Sequence, residues 1–249
     1  MSSPYEGWIE ENEATRWGTS DEPIKEDSWR IADGKVFWGR SGKPIRGADA
    51  ATFCVLNQIW ARDSKHVFVY DSLIRGADAG SFEVFNELYA RDINRAYYSF
   101  GAIKNADPAT FHALDNGLRK TRYPWKSHSG FAADRAAVYH YTLTIGKPSI
   151  LRGADPASFK PLECDYGMDA SRVYFQHTRV PKAKPPSFRL LGLHYATDGK
   201  HIFYANRVVE GADVASFSED PDDGTIGRDA FTQYRTGERM VEQGVDPNA

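Results

Sequence analysis

The chain has 249 residues, 41% of them apolar and 26% charged, which suffices for one large domain or two small ones and argues against wholesale disorder. A formal charge of −3 is too small for nucleic-acid or membrane binding driven by overall charge. Aromatics at 13%, with 21 Gly and 13 Pro, lean toward β-structure rich in turns.

In chain order, an acidic leader comes first. Residues 1–27 hold eight acids against Arg16 and Lys25, a charge of −6 that leaves +3 for residues 28–249. Trp8 and Trp17 lie within it. It has two readings: a cap over the open end of a repeat stack, or a segment that meets a partner through Trp8, Glu10, Glu11, Glu13 and Trp17. The amino terminus shows neither the basic nor the apolar region of a signal peptide, and no run reaches the roughly 18 apolar residues of a membrane span. Cytoplasm is the expected compartment. Cys54 and Cys164 lack metal-ligand spacing and read as two buried thiols.

A repeat follows. Gly47-Ala-Asp49-Ala-Ala-Thr-Phe53, Gly76-Ala-Asp78-Ala-Gly-Ser-Phe82 and Asn105-Ala-Asp107-Pro-Ala-Thr-Phe111 recur at intervals of 29. Gly153-Ala-Asp155-Pro-Ala-Ser-Phe159 and Gly211-Ala-Asp213-Val-Ala-Ser-Phe217 continue the series, with a degenerate copy between them, Ala183-Lys184-Pro185-Pro186-Ser187-Phe188. Before each copy stands a turn Asp followed by a short apolar run: Asp33, Asp63, Asp92, Asp134, Asp169 and Asp198. A truncated further turn begins at Asp229. In five units an aromatic precedes that Asp by three: Trp60, Tyr89, Phe131, Tyr166 and Tyr195.

The aromatic and its neighbours predict one short strand, the Asp a turn, and the apolar run a return strand covered on both faces. The Ala-Asp-x-Ala-Ser/Thr-Phe segment predicts a helix of one to two turns, with Asp as N-cap and Pro at the first helical position. Lys184 in place of that Asp should then cost the local helix about 1 kcal/mol. The expected fold is therefore an α+β repeat protein: about six stacked units of β-hairpin plus short helix, in one elongated or superhelical domain. Residues 29–223 would form the repeat domain, with 1–28 as leader or cap and 224–249 as partial repeat and tail.

These paired motifs resemble the DKNYY family of bacterial repeat proteins, carried here by Asp63-Ser-Lys-His-Val-Phe, Asp92-Ile-Asn-Arg-Ala-Tyr-Tyr and Asp198-Gly-Lys-His-Ile-Phe-Tyr. The resemblance covers roughly residues 29 to 220. It implies a bacterial source and brings no established catalytic residues. Members occur beside polymorphic toxins, which implies an immunity role.

In a repeat protein, function is sought where the repeat breaks. The interval from Asp92 to Asp134 is 42, and most of the excess lies in residues 112–130. There Arg119, Lys120, Arg122 and Lys126 interleave with Tyr123 and Trp125, a pattern that could grip an acidic partner surface or a phosphodiester, or simply form a solvated loop with its Trp tucked in. A smaller excess near 142–151 lengthens a hairpin. No phosphate loop, nucleophile elbow or His-Glu-x-x-His motif is present. The six turn Asp residues read as turn formers, His66 and His201 as repeat equivalents, and His128 as a lone titratable group. Residues 218–224 are acidic without the alternation of a calcium loop. The expectation is a non-catalytic protein-binding protein with no metal or cofactor, foremost an immunity protein facing a cognate toxin. A glycan- or cell-surface-binding module comes second, and an enzyme third.

Overall fold

Each turn Asp sits at the corner of a β-hairpin in the computed structural model, which describes residues 29–39, 42–119, 127–143 and 146–240. Trp60–Arg62 pairs antiparallel with Val67–Val69, and Tyr89–Arg91 with Ala96–Tyr98. The same pairing joins Tyr166–Met168 to Val173–Phe175, Tyr195–Thr197 to Ile202–Tyr204, and Ile226–Arg228 to Gln233–Arg235. A two-residue strand flanks each side, as Cys54–Val55 and Ser72–Leu73 do around the first of these hairpins. The result is a four-stranded meander in chain order.

The chain divides into two compact units, Met1–Arg119 with Pro124–Ala157, and Lys120–Tyr123 with Ser158–Ala249. In the first unit the described residues form four sheets. The first is the two-stranded pair Trp29–Ala32 and Lys35–Trp38, and the fourth is enlarged around the seven-residue strand Ser127–Ala133. In the second unit they form three, the last spanning Ser218–Glu219 to Glu238–Arg239.

This corrects the expected α+β class. The protein is built almost entirely of small antiparallel sheets, and the Ala-Asp-x-Ala-Ser/Thr-Phe segments are single turns. The capping chemistry is present: Asp49 Oδ1 accepts from the Ala51 N–H (3.1 Å) and Asp107 Oδ1 from the Ala109 N–H (3.2 Å). Yet each segment is pinned at both ends, by hydrogen bonds at its Asp and by its Phe in the core. One turn between two anchors cannot propagate, and an isolated first turn is unfavourable. The one helical piece among the described residues is the 3₁₀ turn Pro185–Ser187, in the copy that lost its Asp. Lys184 makes no side-chain cap there, and the turn forms on backbone hydrogen bonds from the Ser187 N–H to Lys184 O and from the Phe188 N–H to Pro185 O (3.2 Å each).

The motif Phe residues tie sheet to sheet. Phe82 lies 5.5 Å, centroid to centroid, from both Trp60 of the preceding hairpin and Tyr97 of the following one. Phe111 bridges Tyr89 and Tyr139 (5.9 and 5.8 Å), Phe188 bridges Tyr166 and Phe203 (5.4 and 5.9 Å), and Phe217 bridges Tyr195 and Tyr234 (5.1 and 5.7 Å). Tilted rings at this spacing are a favoured aromatic geometry. The aromatic three before the turn Asp adds a polar reach. Trp60 Nε1 donates to Glu87 O (3.2 Å), Tyr89 Oη to Gly130 O (3.0 Å), Tyr166 Oη to His194 O (2.8 Å) and Tyr195 Oη to Thr225 O (3.1 Å). A buried ring with a polar tip thus satisfies a carbonyl of the next sheet, which accounts for Trp or Tyr at those positions.

Both cysteines are free; Cys164 is buried, but Cys54, expected inside, begins a short edge strand and is exposed. Among the described residues no helix is long and apolar enough to cross a membrane.

Candidate partner-binding surface

The repeated polar residues form one recurrent knot. In the fourth sheet, Asp134 Oδ1 accepts from the amides of Ala136 and Ala137 (2.8 Å each), while Oδ2 accepts from the Asp107 N–H (2.9 Å) and the Tyr139 hydroxyl (2.8 Å). Thr110 closes the knot, its Oγ1 donating to Asp107 Oδ2 (2.8 Å) and accepting from the Arg135 N–H (3.1 Å). Asp63, Asp92 and Asp229 repeat it, each accepting two turn amides on Oδ1 and, on Oδ2, the amide of Asp49, Asp78 or Asp213.

Burial on its own would raise these carboxyls, but the amides hold Asp63, Asp134, Asp198 and Asp229 below the ordinary aspartate value. The tyrosines respond in the opposite sense: burial first, then the carboxylate that accepts their proton, pushes Tyr97 and Tyr139 well above the ordinary phenol value. Carboxylates filled by backbone amides and a tyrosine hydroxyl have little acceptor capacity left over, so the repeated turn acids do structural work. His66 and His201 belong to the same turns, each 3.4 Å from its own Asp.

The insertion is partly strand. Leu118–Arg119 pairs with the start of Ser127–Ala133, matching Leu118 to His128 and Arg119 to Ser127. Unrepeated polar groups fix it in place. His128 Nε2 lies 2.5 Å from Glu87 Oε2, Asp115 accepts from the amides of Gly117 (2.9 Å) and Phe131 (2.8 Å), and the buried His140 Nε2 lies 3.1 Å from Ser129 Oγ. Gly130 is required here, since a Cβ would meet the Asp115 carboxylate and come within 2.8 Å of the Gly117 Cα. His128, expected as a lone titratable group, thus makes a hydrogen-bond contact with Glu87 that clamps the insertion to the third sheet. The return strand of this sheet is also longer, running from Val138 to Thr142.

Of the residues expected to contact a partner, Arg119 is described, on that short strand. Lys120, Arg122, Tyr123, Trp125 and Lys126 lie outside the described residues, as do Trp8, Glu10, Glu11, Glu13 and Trp17. In the acidic 218–224 segment, Glu219 accepts from the amides of Leu193, His194 and Tyr195 (2.6, 3.0 and 2.7 Å), and Asp220 pairs with Arg228. Among the described residues no group of three His, Cys, Asp or Glu could hold a metal ion.

Sequence reasoning missed a groove of about 510 Å³ between the second and third sheets, lined by Tyr70, Leu73, Ile74, Arg75 and Phe100. Tyr70 and Phe100 stack at 5.7 Å with planes 24° apart, and Trp38 meets Tyr70 edge-on at 5.0 Å. Phe100 is 58% exposed, an apolar ring at a turn where the second sheet has Asp71. That departure from the repeat was the available signal.

Small antiparallel meanders, locked by buried Asp turns and bridged by Phe, define a β-sheet repeat protein. Residues 70–143 match the model of the DKNYY family, so that segment is similar to DKNYY-family proteins. The match takes in the third sheet, the insertion and the long strands of the fourth. No curated protein and no solved structure matches the chain.

Proposed function

We propose that this chain is a non-catalytic, protein-binding repeat protein, and specifically a cytoplasmic bacterial immunity protein that binds and neutralises a cognate polymorphic toxin. One observation carries the binding reading: the recurrent carboxylates and their Ser/Thr partners are consumed by backbone amides, while a groove with exposed Leu73 and Phe100 is left open between two sheets. A rigid scaffold with variable edges is how repeat proteins present recognition surfaces. The resemblance to DKNYY proteins supports a toxin as the partner.

The test is co-expression with the toxin encoded by the neighbouring reading frame, followed by affinity capture and titration calorimetry. We expect a complex with a Kd on the order of nanomolar and relief of toxicity. Deleting residues 1–27, or changing Arg119, Lys120, Arg122 and Lys126 to Ala, should weaken binding with little change in thermal unfolding. A neighbouring toxin that neither binds nor is inhibited refutes the assignment.

A further inference from the structure

Each sheet of the first unit closes on the same device. After the fourth-strand position, an aliphatic residue donates its amide back to the return strand: Ile45 to Val36 O (2.7 Å), Ile74 to Val67 O (2.8 Å), Ile103 to Ala96 O (2.8 Å) and Leu151 to Val138 O (2.9 Å). Ile45, Ile103 and Leu151 are buried and Ile74 is half-buried. The residue that follows each is a cation, Arg46, Arg75, Lys104 and Arg152, and all four are exposed. Arg46, Arg75 and Lys104 make no ion pair among the described residues.

The fold does not demand a positive charge there. In the second unit Val180 and Val209 make the same hydrogen bond (2.8 Å each), and the residues that follow are Pro181 and Glu210. The cations of the first unit are therefore a surface feature added to the scaffold, at one register position in successive sheets. One of these cations, Arg75, is a wall of the groove, beside Tyr70, Leu73 and Phe100. Leu73 is 41% exposed and Phe100 58%. An exposed ring and an exposed aliphatic next to unpaired cations call for a partner that supplies carboxylates and one large apolar side chain.

We propose that this edge binds an acidic, extended segment of a partner protein, whose carboxylates meet Arg46, Arg75 and Lys104 while an apolar side chain enters the groove at Tyr70, Leu73 and Phe100. This rests on the protein-binding reading above and names the chemistry of the partner. A polynucleotide fits less well. The groove has aliphatic as well as aromatic walls, and Asp71 lines it too. Among the described residues the first unit carries 14 Lys and Arg against 12 Asp and Glu, far from the continuous positive field that a phosphate backbone requires.

The experiment is fluorescence anisotropy of the full chain with a labelled peptide of Asp and Glu bearing one Trp, at low ionic strength. Saturable binding is expected, weakened about tenfold by the triple variant Arg46→Glu, Arg75→Glu, Lys104→Glu and by Phe100→Ser, with thermal unfolding unchanged because all four side chains are exposed. Replacing the peptide's acids by amides should abolish binding. The inference is overturned if the acidic peptide does not bind, if the triple variant binds it equally well, or if a single-stranded oligonucleotide or a neutral oligosaccharide displaces it at lower concentration than unlabelled peptide does. A toxin captured equally by wild type and triple variant overturns this inference and leaves the protein-binding reading standing. Peptide binding that is sensitive to the variant, without any toxin binding, supports the groove and removes the immunity assignment.

Discussion

The Asp134 knot offers the sharpest test of the scaffold. Its carboxylate is 2% exposed as a residue and accepts four hydrogen bonds, from the amides of Asp107, Ala136 and Ala137 and from Tyr139 Oη. Consider Asp134→Ala. Arg135 and Ala136 are exposed and Ala137 is half-buried, so water can reach the turn amides and their loss costs little. The Tyr139 hydroxyl sits on a residue that is only 2% exposed, and the Asp107 amide is held under the same turn. A donor left unsatisfied in the interior costs about 1–3 kcal/mol, more when its acceptor was charged. The two inner donors together therefore imply about 3–5 kcal/mol, a large share of the roughly 5–15 kcal/mol that holds a domain together. Asp134→Asn should fall at the lower end, because an amide nitrogen would face a donor on one side. The matching control is Asp33→Asn at the exposed turn of the first hairpin, where φ is 50° and Asn is tolerated, with an expected change below about 0.5 kcal/mol. Urea unfolding followed by circular dichroism reads all three. A loss under about 1 kcal/mol for Asp134→Ala would refute the claim that these knots hold the sheets together.

Three further outcomes follow from the same geometry. Phe111 is fully buried between Tyr89 and Tyr139, so Phe111→Ala should cost about 3–5 kcal/mol and lower the melting temperature; a change within about 1 kcal/mol would show that the Phe bridges are dispensable. Stability should fall at both ends of the pH scale. Asp63, Asp134, Asp198 and Asp229 titrate lower folded than unfolded, so their contribution is complete above the ordinary aspartate value of about 3.9 and is lost as pH drops through the folded values. The buried tyrosines titrate higher folded than unfolded, with Tyr195 pushed up to about 12, so their contribution is present below pH of about 10 and is lost above it; melting temperatures that stay flat across both limits would contradict the shifts. Finally, Lys184→Asp restores the missing carboxylate at the degenerate turn and should add about 0.5–1 kcal/mol in thermal unfolding, whereas a destabilised variant would show that the two prolines already set this turn.

The scaffold was largely legible from residues because much of its chemistry is local. An Asp side chain reaches amides two and three residues on, so the turns at Asp63, Asp92 and Asp198 could be read without a third dimension. The period of 29, the hairpins and the structural role of the repeated acids follow from that. What the residues did not disclose depends on the approach of segments far apart in the chain. The Asp49 amide is held by Asp63 and the Asp107 amide by Asp134, 14 and 27 positions away, and these anchors keep a capped segment to a single turn instead of a helix. The clamp of His128 on Glu87, the bridging of each Phe between two hairpins and the groove at Phe100 likewise exist only once sheets stand side by side. Local hydrogen bonding determined the repeat; packing of neighbouring sheets decided its secondary structure at the joints and which side chains stay exposed.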